Sequence, residues 1–302
     1  MQTDPFEEYR SLLFAMAYRM LGRAMEAEDI VQEAYLRYRA TPPESIGTLK
    51  SFLTTIVYHL CIDHLKSAQA RRENYIGPWL PEPIITGDGT SLYSPLRQIT
   101  DRESISMAFL VLLESLSPLE RAVFLLREVF DYEYAEIAQI TGRAEAACRQ
   151  LFSRAKKHVR EHRPRFPASP EAHAKMVGRF MEACIAGDID GLMSLLAEDV
   201  TAWSDGGGKV SGAARQPIQG RDKVARGIIG LLSRAPEGTT VEVIEANGLP
   251  ALLMRVKGQI VSVLMLEVEG DFIRAMRSVA NPDKLAHLNP LPSSGQEWRL
   301  GA

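Results

Sequence analysis

At 302 residues the chain is longer than one hydrophobic core requires, so two or three domains of about 100 residues each are expected. Its 46% hydrophobic and 24% charged residues are the balance of a folded soluble protein, which excludes a disordered or membrane-embedded chain. A net charge of -3 excludes a protein that coats nucleic acid over its whole surface, so any phosphate contact has to be local.

The chain starts acidic, Met1 to Glu8, where a secretory signal would be basic and then apolar, and no later apolar run reaches the roughly 18 residues of a membrane span. The cytoplasm is the expected compartment. Residues 1–74 are rich in helix formers, with proline confined to Pro5 and the Pro42-Pro43 pair, and read as a helical domain. Within it, Ala27 to Tyr38 sets Asp29, Gln32, Glu33 and Arg37 on one helical face and Ile30, Ala34 and Tyr38 on the other. From Leu49 to Arg72, Phe52, Tyr58, His59 and His64 alternate with Lys66, Arg71 and Arg72. Aromatic rings among positive charges suit unstacked single-stranded bases, although an aromatic core with a solvated basic end fits the periodicity equally well.

From Tyr75 to Asp101 the density of Gly and Pro excludes a helix, and this stretch, with Trp79-Leu-Pro-Glu-Pro83, reads as a linker. Helical character resumes over 102–165, with breaks at Ser117-Pro118, near Asp131 and at Thr141-Gly142. Ser117-Pro-Leu-Glu120 carries an N-cap hydroxyl, Pro at the first helical position and Glu at the third, a capping box. A short helix Glu133–Ile140, a Gly turn and a long helix from Glu145 have the spacing of a helix-turn-helix. On the long helix Ala147, Cys148, Leu151 and Ala155 share a packing face, leaving Glu145, Ala146, Arg149, Gln150, Ser153 and Arg154 outside. Between Gly142 and Arg165 eight Lys and Arg residues oppose Glu145 and Glu161, 8 - 2 = +6 in a chain of net -3. That concentration is the footprint of a DNA-backbone contact, with the start of the helix offered to the major groove. His158-Val-Arg-Glu-His162 matches a zinc-protease pattern but sits on the most basic helix without a third ligand, so no metal is expected.

Pro164, Pro167 and Pro170 mark a second boundary. After a helix over about 171–186, the β-rich runs Val241–Ala246, Ala251–Lys257, Ile260–Glu267 and Phe272–Val279 read as antiparallel strands, giving an α+β domain over 171–288. The tail, 289–302, with Pro290, Pro292 and Ser293-Ser294, is expected to be mobile. Cys61, Cys148 and Cys184, odd in number and widely spaced, read as buried small hydrophobes.

Asp29-Ile-Val-Gln-Glu33, Phe52-Leu-Thr-Thr-Ile-Val and Asp63-His-Leu-Lys66 resemble region 2 of extracytoplasmic-function (ECF) sigma factors, and Leu116 to Lys157 resembles their region 4. The resemblance implies two all-α domains that join core RNA polymerase to promoter DNA. Asp29, Gln32, Glu33 and Arg37 would dock on the polymerase beta-prime coiled coil, with the beta subunit as a further partner. Tyr58, His59, Lys66, Arg71 and Arg72 would hold the melted minus-ten strand. Arg143, Glu145, Arg149, Gln150, Ser153, Arg154 and Lys157 would read the minus-thirty-five duplex. His59 and Ala144 depart from the family, which usually has Asn and a capping hydroxyl there.

Trp79-Leu-Pro-Glu-Pro83, Asp205-Gly-Gly-Gly-Lys209 and Asn281-Pro-Asp-Lys-Leu285 further resemble sigma factors with a fused SnoaL-like domain, in which the extra domain stands in for a separate anti-sigma factor. Trp79, Pro81, Pro83, Asp205, Gly206, Gly207, Gly208, Lys209, Asn281, Pro282 and Asp283 would carry that regulation. The resemblance implies no cofactor and leaves open an unidentified small-molecule ligand in the third domain. In enzyme relatives of that fold a pocket Asp or His acts as a base, and Asp205 beside Trp203 is the one candidate here. A ligand-responsive helix-turn-helix repressor remains an alternative, as does an isomerase or hydrolase with a DNA-binding part; the first gives the region 2 helix no purpose, and the second requires turnover by residues 171–288.

Overall fold

The computed structural model describes residues 4–72, 75–87, 105–162, 168–289 and 297–300. They form two compact units, one of residues 4–72 and 105–162, the other of 75–87, 168–289 and 297–300.

In the helical unit, α1 (Glu7–Leu21), α2 (Ala24–Ala40) and α3 (Leu49–Arg72) pack on one another. Their facing residues, including Leu13, Phe14, Ala27, Val31, Ala34, Leu53, Val57 and Cys61, are buried. The second module comprises α4 (Met107–Glu114), α5 (Pro118–Phe124), a π turn Leu125–Val129, α6 (Tyr134–Thr141) and α7 (Glu145–His162). The Ser117 capping box forms as the sequence predicts: its Oγ accepts from the Glu120 amide at 3.3 Å, and the Glu120 carboxylate accepts from the Ser117 amide at 3.2 Å. The expected break near Asp131 is a left-handed residue, φ 54°. Arg121 of α5, 3% exposed, donates to the Met20 carbonyl at 2.6 Å and to Glu114 at 2.7 Å. A guanidinium thereby satisfies a carbonyl in the last turn of α1, which the helix leaves without an internal partner.

In the second unit, α8 (Pro170–Ala186), α9 (Ile189–Leu195) and α10 (Arg221–Leu232) accompany a seven-stranded sheet. Its strands are β1 (Leu196–Asp205), β2 (Ile218–Gln219), β3 (Thr239–Ala246), β4 (Leu249–Val256), β5 (Gln259–Glu269), β6 (Phe272–Val279) and β7 (Glu297–Leu300), in spatial order 2-1-6-5-4-3-7. Val177, Phe180, Leu192, Val224, Val241, Leu252, Leu266 and Met276 belong to one core between the helices and one sheet face. A short helix, α11 (Pro282–Leu285), packs against β5. The α+β architecture and the four central antiparallel strands agree with the sequence. Two expectations need correction. Residues 75–87 are not a free linker: Leu80 through Ile85 are buried in this unit, with Ile85 bridged to Ala246 and the Thr86 amide donating to the Glu245 carbonyl at 2.9 Å. An extended segment with apolar Leu80, Ile84 and Ile85 can bury itself once its backbone groups find partners, and here they do. Part of the expected mobile tail, Glu297–Leu300, is instead a strand on the β3 edge, with Trp298 packed on the core. An open edge offers unpaired backbone donors and acceptors, which this strand takes up.

Candidate functional site

The α7 helix starts after Gly142, whose φ of 65° ends α6 in the left-handed conformation that favours glycine. Cys148, Ala155 and Val159 face inward, whereas Glu145, Ala146, Arg149, Gln150, Ser153, Arg154 and Lys157 are all exposed, as the spacing predicts. Several of these charges are engaged within the unit. Arg149 pairs with Glu145 at 3.3 Å and lies 4.2 Å from the Tyr134 ring centroid, and Lys157 lies 4.0 Å from Glu161. Arg154 makes no ion pair among the described residues and is the unengaged cation of this face. His158 hydrogen-bonds Ser115 at 2.7 Å, and His162 Nδ1 lies 2.8 Å from the His158 carbonyl, so both rings have protein partners.

On α2, Asp29, Gln32 and Arg37 are exposed and Glu33 half-buried, with Ile30 and Ala34 inside and Tyr38 half-buried. Glu33 holds Arg37 at 2.8 Å. On α3, His59 and Lys66 are exposed, Lys66 pairing with Asp63 at 3.1 Å. The side chains of Arg71 and Arg72 lie outside those described.

Tyr58 departs from its expected place: it is 3% exposed, so its ring is not offered to a base. Burial raises its pKa; Arg143, which hydrogen-bonds it, opposes the shift, and Cys148 adds to it. The minus-ten and minus-thirty-five sets thus meet in one contact. Beside it the Thr54 and Tyr132 hydroxyls are 2.7 Å apart, and the Lys50 ammonium lies 4.6 Å from the Tyr132 ring centroid. An aromatic among basic residues resembles a stacking platform in sequence, and what distinguishes the buried ring is a partner 85 positions away, which sequence spacing does not display.

The three motifs of the C-terminal part converge on one carboxylate. Asp205, fully buried at the end of β1, receives the Leu80 amide at 2.8 Å, the Lys284 ammonium at 2.7 Å, the Gly207 amide at 3.2 Å and the Tyr75 hydroxyl. Its main-chain carbonyl accepts from the Ala280 and Asn281 amides, both at 2.8 Å. Lys284 is 2% exposed, donates to the Leu80 carbonyl and lies 4.0 Å from the Trp79 ring centroid. Asn281 donates to the Tyr75 hydroxyl at 2.8 Å and caps α11 by accepting from the Asp283 amide at 3.1 Å. Gly207, φ 57°, lies where a Cβ would collide with the Asn281 amide. Pro81, Pro83 and Gly206 are buried; Gly208 and Pro282 are exposed; Lys209 pairs with Asp283 at 2.6 Å on the surface.

Farther along the segment, the His287 ring lies 2.9 Å from the Pro83 carbonyl, and the Asn247 side chain accepts from the Ile84 amide at 3.1 Å. Burial lowers the His287 pKa, with Glu82 and the Pro83 carbonyl opposing. The sequence reading missed Lys284, Tyr75, Asn247 and His287; only the lysine inside Asn281-Pro-Asp-Lys-Leu285 was a visible signal. Asp205 is corrected as a candidate base, because its carboxylate is paired with a buried lysine and its oxygens are already occupied by amide and hydroxyl donors, leaving none to take a substrate proton.

The helical unit offers solvent a polar face with Asp29 and Gln32 on one module and a basic helix on the other, equipment for joining a second protein to DNA, and the class is that of DNA-directed transcription factors. Residues 5–71 match the family model for sigma-70 region 2 and residues 106–159 that for sigma-70 region 4. The ECF RNA polymerase sigma factor SigJ of Mycobacterium tuberculosis is 44% identical over 240 residues, 79% of this chain and 75% of the relative. The probable ECF sigma factor SigI of the same species is 32% identical over 292 residues, 94% of this chain and 96% of the relative. The crystal structure of M. tuberculosis SigJ matches with a TM-score of 0.75 at 37% identity, covering 93% of this chain and 97% of that one. This chain belongs to the ECF RNA polymerase sigma factors: its regions 2 and 4 serve core polymerase and promoter DNA in transcription initiation.

Proposed function

We propose that the C-terminal domain controls this sigma factor in cis by holding residues 75–87, the first part of the tether between regions 2 and 4, while α2 docks on polymerase and α3 and α7 read the promoter. The observation that carries the reading is the closure of Asp205 and Lys284 on Tyr75 and Leu80. Promoter elements at minus ten and minus thirty-five lie about 25 base pairs apart, about 85 Å at 3.4 Å per pair. Tyr58 and Arg143 are in direct contact, so their two modules cannot read both elements until they part. Fixing residues 75–87 removes about 45 Å of extended chain from the tether that must span that distance. The domain therefore acts by setting how far the reading modules can separate.

The test is transcription from a cognate promoter by core polymerase with the full chain or with Lys284→Ala, alongside proteolysis of residues 75–87. The variant should expose the segment to protease and change the amount of promoter-dependent transcript. An exposed segment with unchanged transcript would remove the cis-control reading.

A further inference from the structure

The α2 helix leaves two large apolar side chains about half exposed, Met25 at 48% and Leu36 at 56%; among the described residues of the helical unit these are the large hydrophobics so exposed. Scattered exposed apolar residues are ordinary and need no explanation. These two are not scattered. Met25, Asp29, Gln32 and Leu36 stand at i, i+4, i+7 and i+11, which at 100° per residue confines them to an arc of about 60°. Met25 and Leu36 mark the ends of this stripe, about 16 Å apart along the axis, with Asp29 and Gln32 between them. Asp29 and Gln32 are exposed, and Asp29 makes no ion pair among the described residues. Glu33, at the edge of the stripe, is turned to Arg37. The other face of α2, with Ala27, Ile30, Val31 and Ala34, is consumed by the unit's own core.

A helix that gives one face to its core and presents apolar, acidic, amide and apolar groups in line on the other matches the helix-in-groove mode of recognition, in which anchors recur at helical spacing. We infer that Met25 and Leu36 are the apolar anchors of the polymerase-docking face and bracket the Asp29 and Gln32 contacts. This rests on the reading that α2 is the docking helix. The partner is the core polymerase element that receives α2, and it must present two apolar sites about 16 Å apart with a cationic or amide donor between them. Buried apolar anchors supply most of the energy at such faces, while the carboxylate and the amide between them set register, and the carboxylate's charge the encounter rate. Arg37 acts from the edge, as the residue that orients Glu33.

The test measures binding of the full chain to core RNA polymerase without promoter, by fluorescence anisotropy at low and high salt, for Leu36→Ala, Met25→Ala, Leu36→Met and Asp29→Ala. Leu36→Ala and Met25→Ala should each weaken binding about tenfold at both salt concentrations, because apolar burial is not screened. Asp29→Ala should cost more at low salt than at high salt, and Leu36→Met should bind within about twofold of the parent. Thermal melting should shift by no more than a few degrees throughout, since each apolar side chain is about half exposed and outside the fully buried core. Parental affinity for Leu36→Ala and Met25→Ala beside a weakened Asp29→Ala would overturn the anchors and keep the docking helix. Parental affinity for all three alanine variants would overturn the docking helix and the anchors with it. A loss in Leu36→Ala that tracked a lowered melting temperature would also overturn the inference, by assigning the loss to folding.

Discussion

Two polar arrangements in this protein use the same residue types to opposite ends. On α7, Arg149, Arg154 and Lys157 stand in water with loose partners at 3.3–4.0 Å or none among the described residues. In the C-terminal domain, Lys284 is 2% exposed and holds a fully buried Asp205 at 2.7 Å, whose carboxylate also accepts from the Leu80 and Gly207 amides and the Tyr75 hydroxyl. Water tolerates an unsatisfied charge and the interior does not, so the exposed cations stay available to an outside partner while the buried one is committed to the fold. Burial and partner count therefore separate the exposed cations of α7 from the residues that pack against 75–87, which charge alone cannot do.

The largest effect is expected where the buried arrangement is broken from one side. Lys284→Ala leaves the Asp205 carboxylate buried without its cation and should destabilise the C-terminal domain by about 3–5 kcal/mol. Chemical denaturation followed at Trp203 and Trp79 measures it. Adding Asp205→Asn should recover part of the loss, because the two residues share one interaction and their effects cannot add. A loss within about 1 kcal/mol for Lys284→Ala alone would mean the pair is worth no more than a surface one.

Arg154→Ala tests the exposed side. Because Arg154 makes no ion pair among the described residues, Arg154→Ala should leave stability unchanged and cost promoter affinity, by about 1–3 kcal/mol if its guanidinium reads a base. A loss equal across all DNA sequences, with the salt dependence shallower by about one unit, would reassign it to a phosphate. Arg149 should be the poorer reporter, since its charge is shared with Glu145 and the Tyr134 ring.

A smaller and graded effect should follow acidification. His173, 3% exposed, lies 2.8 Å from the Leu266 carbonyl, and burial lowers its pKa as it does that of His287. Both are held neutral in the folded domain, while the unfolded chain takes up a proton near pH 6.5. Their contribution is therefore complete above about pH 6.5 and is lost as pH falls from there toward the lowered folded values, by at most about 1.4 kcal/mol per pH unit for each histidine. Denaturation midpoints of the C-terminal domain at pH 7.5 and pH 5.5 measure this. His173→Gln with His287→Gln should flatten the slope.

Much of this was legible because it is local. The Ser117 cap, the Gly142 turn and the two faces of α7 depend on residues within a few positions of one another, and the sequence displays such spacing directly. The four central strands show for the same reason, each being bounded by Gly, Pro or Asn. The β1 strand was hidden: Glu198 and Asp199 interrupt its apolar run, and its partner β6 pairs with it in parallel, across a register shift between Leu196 and Thr201. Long separation also hid the polar cluster, in which Lys284 reaches Asp205 across 79 positions and Leu80 across 204. The motif residues could be picked out, but their order of importance could not. Lys209 was singled out and Lys284 was not, although the fold buries the second and exposes the first.

The finest test of the comparison is therefore Lys209→Ala. Lys209 is as close to Asp283, at 2.6 Å, as Lys284 is to Asp205, but both members of the surface pair are more than half exposed, Lys209 at 54% and Asp283 at 58%. At equal distance the Coulomb term in water is small, the two long side chains lose freedom in pairing, and salt screens what remains. Lys209→Ala should cost about 0–1 kcal/mol, with the effect fading as salt is raised, while the cost of Lys284→Ala should barely change with salt. Proteolysis of residues 75–87 should be accelerated by the second variant and untouched by the first. If Lys209→Ala released the segment as readily as Lys284→Ala, closeness of charge and not burial would be what holds it, and the line drawn between the committed and the available cations of this protein would have to be redrawn.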